Sequence, residues 1–534
     1  MMFTPAASGN CLAMNGGVVT PGLFDAVLLD RDGTLIEDVP FNGDPDKVRV
    51  VPGAREALDR LRAAGLRLAV VTNQSGLARG LFTAAQLRAV NARVEQLLGP
   101  FDCWQVCPHD DSDGCRCRKP APGLVERAAA ALGTTARRCV LVGDIGRDMG
   151  AALAAGASGV LVPTPVTRAQ EVAAAPYVAR DLPAAVEEIL RRQAAVVPAT
   201  PRRAGTVLVA RSDSAGDVLV TGPAIRAVAA CAERVVLLHG PRGRDAAALL
   251  PGVDELIEWP LPWIDGDPTP VDPATIDTLT TRLAAVGADE AVIFTSFHQS
   301  ALPLALLLRL AGVPRISAIS DDYPGSLLDI RHTVPTGVPE PERALSLAAA
   351  AGFALPADDD PGLRVDVPPA GEPGEPYVVV HPGASVPARA CPPQRCAEIV
   401  AALAAAGHRV VVTGGPDERA LTARVAAAGG TDLGGRTDFA GLAGTIAGAR
   451  CVVVGNTGPA HLAAAVGTPV VSLFAPTVPY GQWGPYRVPT VRLGDATAAC
   501  RDTRATRCPV PGHPCLTAGI DPAEVVDAVG LLTR

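Results

Sequence analysis

The stretch V-L-L-D-R-D-G-T-L, Val27 to Leu35, ends an apolar run on two carboxylates, Asp30 and Asp32, with Gly33 directly behind them. The apolar run reads as a buried parallel strand, and open α/β sheets bind ligands just beyond the carboxyl ends of such strands. A lone D-x-D there is most simply an acidic turn facing water. Further parts of a phosphoryl-transfer site follow in order, however. T-N-Q-S-G, Thr72 to Gly76, offers a hydroxyl and amides for phosphate oxygens. C-R-K-P, Cys117 to Pro120, offers Lys119 as a cation, and G-D-I-G-R-D, Gly143 to Asp148, adds the carboxylate of Asp144. An anion attacks a phosphate monoester only reluctantly, so such a site needs a nucleophile, a divalent metal and cations for the equatorial oxygens. Asp30 is the expected nucleophile, giving an aspartyl phosphate, and Asp32 the acid that protonates the leaving oxygen and then activates water. Mg²⁺ suits carboxylates with open water positions, which Asp30 and Asp144 supply. Lys119 is expected to pair with the phosphoryl group and the nucleophile, while Thr72 and Asn73 bind phosphoryl oxygens.

The elements that position these groups are legible as alternating strands and helices. Strand-like runs at Ala26–Leu29, Leu66–Val71 and Cys139–Val142 are separated by amphipathic stretches such as Ala54–Ala64 and Ala84–Leu98. That alternation predicts an α/β fold, a parallel sheet with helices on both faces.

The four ordered motifs resemble those of the haloacid-dehalogenase phosphatases. Within them the similarity is nearest to the D-glycero-D-manno-heptose 1,7-bisphosphate phosphatase group, with histidinol-phosphate phosphatases as neighbours. The resemblance covers about Leu23 to Leu190 and implies Mg²⁺ held by Asp30, Asp32 and Asp144, with a heptose bisphosphate as substrate. The subgroup signature C-P-H-x5-C-R-C places Cys107, His109, Cys115 and Cys117 where a Cys₃His set can wrap one tetrahedral Zn²⁺. Four protein ligands close such a site, so its role is structural. It is expected to pin the loop that brings Arg118 and Lys119 to the phosphate.

A second enzyme-like region follows. A-A-V-V-P-A-T-P-R-R-A-G, residues 194–205, has no period and marks a linker. Beyond it T-V-L-V-A-R ends in S-D-S-A-G-D, where small residues allow a ligand close to the backbone and Asp217 starts the next helix. Alternating runs continue at Arg234–Leu238 and Glu290–Phe294, and a Pro/Gly/Asp-rich stretch, 356–376, precedes Y-V-V-V-H-P-G-A-S. Cys451 to Phe474 reads strand, tight turn, helix, strand. Gly458 and Pro459 open that helix, so its free N–H groups and positive dipole end suit a diphosphate. Thr457 adds a hydroxyl and His461 sits on the first turn.

The A-G-D, H-P-G-A-S, G-G-P-D-E and G-N-T-G-P-A-H-L-A-A-A-V-G-T-P motifs resemble the heptosyltransferase family of glycosyltransferases, from about Thr206 to the last residue. The resemblance implies a GT-B architecture of two Rossmann-like lobes, a nucleotide-sugar donor and a glycan acceptor. It makes Asp217 the general base, sets Thr457, Gly458 and His461 on the donor diphosphate, and puts Arg389 beside the departing phosphate. Asn456 stands where the family often has Asp.

The expected organisation is therefore a disordered leader (1–22), a phosphatase (23–193), a linker (194–205), an acceptor lobe (206–365) and a donor lobe (366–534). The chain of 534 residues is too long for a single core. Its net charge of -8 gives no basis for nucleic-acid binding. No apolar stretch reaches the ~18 residues of a membrane span, and 1–22 lacks a signal-peptide pattern, so a cytoplasmic enzyme is expected, touching a membrane only peripherally through its acceptor. Thirteen cysteines point to metal before disulfides because four cluster with a histidine. A second group, Cys500, Cys508, His513 and Cys515, is read as a packed or stapled loop, with a metal as the alternative. The reading that results joins two steps of one sugar pathway, C7 dephosphorylation of heptose bisphosphate and transfer of an activated heptose. The competing reading is a phosphatase for histidinol phosphate or another small monoester beside a non-catalytic sugar-nucleotide module.

Overall fold

The computed structural model describes residues 22–265, 268–367 and 375–534; the expected leader, apart from Gly22, lies outside them. The described residues form three parallel sheets that repeat one strand order. The first holds β1 (Ala26–Leu29), β2 (Arg67–Asn73), β3 (Cys103–Cys107), β4 (Cys139–Gly143) and β5 (Ser158–Leu161) in the order β3-β2-β1-β4-β5. The second holds β6 (Ala204–Arg211), β7 (Ala232–His239), β8 (Glu255–Glu258), β9 (Glu290–Ile293), β10 (Ile316–Ile319) and β11 (Ile330–His332), ordered β11-β10-β9-β6-β7-β8. The third holds β12 (Tyr377–His381), β13 (Arg409–Val412), β14 (Thr431–Asp432), β15 (Cys451–Gly455), β16 (Val470–Leu473) and β17 (Thr490–Leu493), ordered β14-β13-β12-β15-β16-β17.

Each sheet is thus wound in two directions from its first strand, and the reversal falls between its first and fourth strands. There the flanking helices part and leave a crevice at the carboxyl edge. The central strands are apolar throughout, AVLL in β1 and CVVVG in β15, because helices cover both faces. In the first sheet the coverage comes from α1 (Ala54–Ala63), α2 (Ala84–Leu98), α3 (Gly123–Ala131), α4 (Gly146–Ala154), α5 (Ala169–Ala174) and α6 (Leu182–Ala195). Helix α2 starts where the sequence places it, at a capping box of Thr83 and Gln86.

The irregular segment after α6 is shorter than 194–205. Ala194 and Ala195 complete the last helical turn, and Ala204 already pairs with Ala232 in the second sheet.

By contact density the chain forms two compact units, one of Gln193–Asp366 and one that unites Phe24–Arg192 with Val367–Arg534. Within the second unit the first and third sheets share a packed face. Leu153 of α4 lies against the buried cluster of Phe474, Val478 and Tyr480. Arg487 Nη1 donates to the Arg137 carbonyl at 2.7 Å, and its guanidinium lies 5.4 Å from the Phe24 ring centroid. Nothing periodic in the sequence announces this face, since single residues build it. Among the described residues, no helix is long and apolar enough to cross a membrane.

Candidate functional site

At the crevice of the first sheet, Asp30 follows β1 and Asp144 follows β4, the two strands on either side of the reversal. Gly33 makes their approach possible. Its φ is +79°, and a Cβ there would stand 2.3 Å from Asp144 Oδ2, so any side chain would collide with the carboxylate. Asp148, on the first turn of α4, completes a group in which one carboxylate oxygen from each residue lies within 4.8 Å of the others. Lys119 Nζ sits 2.7 Å from Asp30 and 2.5 Å from Asp148, and donates to the Val71 carbonyl at 3.0 Å. A cavity of about 270 Å³ opens over Asp30, Asp32, Thr72, Asn73, Lys119 and Asp144.

Three buried carboxylates facing one ammonium leave a surplus of negative charge that burial makes costly. The electrostatics follow that surplus. Burial, with Asp148 and Asp32 adding to it against the pull of Lys119, raises the Asp30 pKa to about 7. Burial, then Asp30 and Asp148, raise that of Asp144 to about 8. Burial works against the charge of Lys119 too, but Asp148 and Asp30 outweigh it and hold the ammonium charged. A set of hard oxygen donors with excess negative charge fits a divalent cation such as Mg²⁺.

Two of the expected site residues make other contacts in this structure. Asp32, expected among the metal ligands, stands outside the three-carboxylate group. Its carboxylate accepts Arg31 Nη2 at 2.9 Å and Gln74 Nε2 at 2.7 Å, because the buried Arg31 guanidinium draws it aside. Arg118, expected at the phosphate, donates from Nε to Asp111 at 2.7 Å and does not line the cavity. Arg118 and Arg147 hold the exposed Asp111 carboxylate well below the usual range. Asn73 lines the cavity while its side-chain amide exchanges two 3.1 Å hydrogen bonds with the Lys119 backbone, so it also fixes the Lys119 loop. Asp148 and Gln74 are the residues that sequence reasoning missed. Asp148 lies four residues after Asp144, one helical turn, which was a usable signal.

The four zinc-ligand candidates come together at the end of β3. His109 Nδ1 lies 3.2 Å from Cys117 Sγ, and Cys117 Sγ lies 3.4 Å from both Cys107 and Cys115 Sγ; the Cys107–Cys115 separation is 3.7 Å. With Zn–S bonds of about 2.3 Å, the edges of a tetrahedron are near 3.7 Å, so the set has the size of one Zn²⁺ site.

In the second sheet, Asp217 is the third residue of α7 (Ala215–Ala229), and its carboxylate accepts Ser214 Oγ at 2.7 Å and Arg211 Nη2 at 3.0 Å. Arg211 is buried and also pairs with Asp213 at 2.9 Å, and Ser296, beyond β9, donates to Asp213. Arg211, Asp213 and Ser296 were not anticipated; they lie at the ends of β6 and β9, the two strands on either side of the reversal.

In the third sheet, Thr457 caps the helix Gly458–Val466 in extended conformation without a side-chain capping bond. Asn456 beside it is buried, with Nδ2 lacking a hydrogen-bond partner among the described residues. His461 is buried on the first turn. Arg389 is brought to the same edge: its carbonyl oxygen would lie 2.9 Å from a Cβ at Gly455, the last residue of β15. Among the described residues, Cys500, Cys508, His513 and Cys515 do not form a group of metal-ligand size.

Comparison with known proteins bears on both regions. Over 143 residues the chain is 40% identical to the D-glycero-beta-D-manno-heptose-1,7-bisphosphate 7-phosphatase of Bordetella bronchiseptica, a match spanning 26% of this chain and 80% of that protein. The chain belongs to this phosphatase family. The phosphatase of the same name from Yersinia pestis is 37% identical over 179 residues, 30% of this chain and 95% of the relative. Models of haloacid dehalogenase-like hydrolases match residues 27–100 and 116–186, which hold the four phosphatase motifs. The model of glycosyltransferase family 9 (heptosyltransferase) matches 294–512, so the phosphatase is joined to a glycosyltransferase domain. A family 9 glycosyl transferase from Veillonella parvula shares the fold over 61% of this chain and 97% of its own, with a TM-score of 0.52 and 16% identity.

Proposed function

We propose that the phosphatase region removes the C7 phosphate of D-glycero-D-manno-heptose 1,7-bisphosphate through an aspartyl phosphate on Asp30. The observation that carries this reading is the buried Lys119 ammonium held between Asp30 and Asp148, with Asp144 beside them. Asp30 attacks phosphorus, and Lys119 neutralises an equatorial oxygen as the bond to C7 oxygen breaks. Thr72 Oγ1 accepts Gln74 Nε2 at 2.9 Å, which leaves its own proton for a phosphoryl oxygen. Asp32, steadied by Arg31 and Gln74, protonates the departing oxygen and then takes a proton from the water that attacks the aspartyl phosphate. Asp30, Asp144 and Asp148 would hold Mg²⁺, which supplies charge neutralisation to the nucleophile and the phosphoryl oxygens. Zinc on Cys107, His109, Cys115 and Cys117 would brace the loop that carries Lys119.

The remaining segments, 206–365 and 366–534, are read as acceptor and donor lobes that transfer a heptose from a nucleotide-sugar donor to a glycan acceptor. Asp217 is the proposed base for the acceptor hydroxyl, with Arg211 fixing its carboxylate. The uncapped helix start at Thr457 and Gly458, with the orphan Nδ2 of Asn456, supports a donor diphosphate site beside His461 and Arg389. Both activities would draw on one cytoplasmic sugar pathway that builds a lipopolysaccharide-like glycan.

The test is Mg²⁺-dependent phosphate release from the α and β anomers of heptose 1,7-bisphosphate beside histidinol phosphate. A strong preference for one heptose anomer, reduced by about three orders of magnitude or more in Asp30→Asn, is expected. Faster release from histidinol phosphate would break the heptose assignment. For the transferase, Asp217→Ala should abolish sugar transfer and leave nucleotide-sugar binding within about threefold; unchanged transfer would remove Asp217 as the base.

A further inference from the structure

The face shared by the first and third sheets carries a half-open cavity of about 330 Å³, separate from the one over Asp30. That volume lies at the small end of ligand pockets. Its walls are mainly apolar, with Met149 and Leu153 of α4 on one side and Val491 and Leu531 on the other. Two charged side chains reach it, Glu171 and Arg492.

Their situations differ. Glu171 is compensated: it accepts Arg168 Nη2 at 2.7 Å and the Arg168 N–H at 3.0 Å, together with the N–H of Gly146 at the start of α4. Arg492 makes no ion pair among the described residues, and the longer-range pull of the Asp502 carboxylate is opposed by the neighbouring charge of Arg501. Its Nη1 donates to the Ala174 carbonyl at 2.8 Å, and its guanidinium lies over Tyr480 and Phe474, 4.6 and 5.3 Å from their centroids. Among the described residues no carboxylate pairs with it, and its Nε is buried without an acceptor. Burial pulls its pKa down to about 10, which leaves it charged at neutral pH. Aromatic faces offset part of the cost of a buried cation but accept no ordinary hydrogen bond. The arrangement is a cationic donor at the wall of a mainly apolar pocket, with no carboxylate in hydrogen-bond contact with it among the described residues.

We propose that this cavity binds a small amphipathic monoanion, its apolar body against Met149, Leu153 and Leu531 and its anionic group on the Arg492 guanidinium. The site is also connected to the phosphatase chemistry. Pro120, which follows Lys119, and α4, which carries Asp148, both line it, so an occupant touches the two segments that hold the Lys119–Asp148 pair.

The test compares two probes of one shape on the full chain. They are 1-anilinonaphthalene-8-sulfonate and N-phenyl-1-naphthylamine, which has the same rings without the sulfonate. Fluorescence titration should show one saturable sulfonate site at least about tenfold tighter than that for the neutral probe, the worth of one charge-assisted contact. Arg492→Gln should remove that difference. Leu531→Trp, which fills the cavity and leaves the guanidinium in place, should abolish the site and covers the case in which Arg492→Gln does not fold. Equal affinity for both probes, or sulfonate binding that survives Leu531→Trp, overturns the proposal.

Discussion

Lowering the pH should weaken Mg²⁺ binding to the phosphatase far above the range in which ordinary carboxylates titrate. Without metal, burial raises the pKa of Asp30 to about 7 and that of Asp144 to about 8, far above the usual carboxylate range. A metal needs both carboxylates ionised, so its binding must expel whatever protons they hold. Between pH 8 and pH 6 the ionised fraction of a group with pKa 7 falls about tenfold, and that of a group with pKa 8 about fiftyfold. The two titrate as a pair, so the expected loss of Mg²⁺ affinity over this range is roughly one to three orders of magnitude. Carboxyls that titrated near 4 would change it less than about twofold. Stability follows with a definite sign. Both folded values exceed the unfolded one, so these carboxyls favour the metal-free fold below about pH 4, and that contribution is lost as the pH rises through 7 and 8. The rise in unfolding temperature on adding Mg²⁺ should therefore be greatest at pH 8 and fade toward pH 5. Calorimetric titration at pH 6, 7 and 8, with thermal unfolding in parallel, measures both. An affinity constant across these pH values would refute the picture of a buried, proton-holding cluster.

Two substitutions probe the remaining parts. Asp148→Asn removes one of the two carboxylates that hold Lys119, and should lower phosphate release by about two orders of magnitude and weaken Mg²⁺ binding while the circular dichroism spectrum stays native; release within a factor of three of the parent would make Asp148 a bystander. Cys117→Ser removes the thiol closest to the other three ligand atoms, so zinc content by mass spectrometry should fall from one ion per chain to none, with a lowered unfolding temperature. A parent protein that is correctly folded yet free of zinc would leave the Cys₃His group a set of buried thiols.

Much of the fold could be read from runs of residues. The apolar stretches at Ala26–Leu29 and Cys451–Gly455 are strands because a parallel sheet covered on both faces needs continuous apolar side chains. Motifs at strand ends told which loops share an edge, and C-x-H-x5-C-x-C told that four ligand atoms could meet. Asp32 and Arg118 are residues whose neighbours compete for them. A motif records that a charged group is present but not that Arg31 or Asp111 will take it. The shared face of the first and third sheets was not legible, since Leu153 lies more than 300 residues from Arg487 and Arg492 and none of them falls in a periodic run. Arg211 likewise gave no sign that it would hold both Asp213 and Asp217.

The claim that organises the account is that Asp30 opens the phosphate ester at C7 and leaves the anomeric phosphate in place. Phosphorus NMR of heptose 1,7-bisphosphate incubated with the full chain and Mg²⁺ reads this directly. The account predicts loss of the C7 monoester resonance, growth of inorganic phosphate, a persistent anomeric phosphate, and no change in the spectrum with Asp30→Asn. Loss of the anomeric phosphate instead, or hydrolysis at the parental rate by Asp30→Asn, would contradict it.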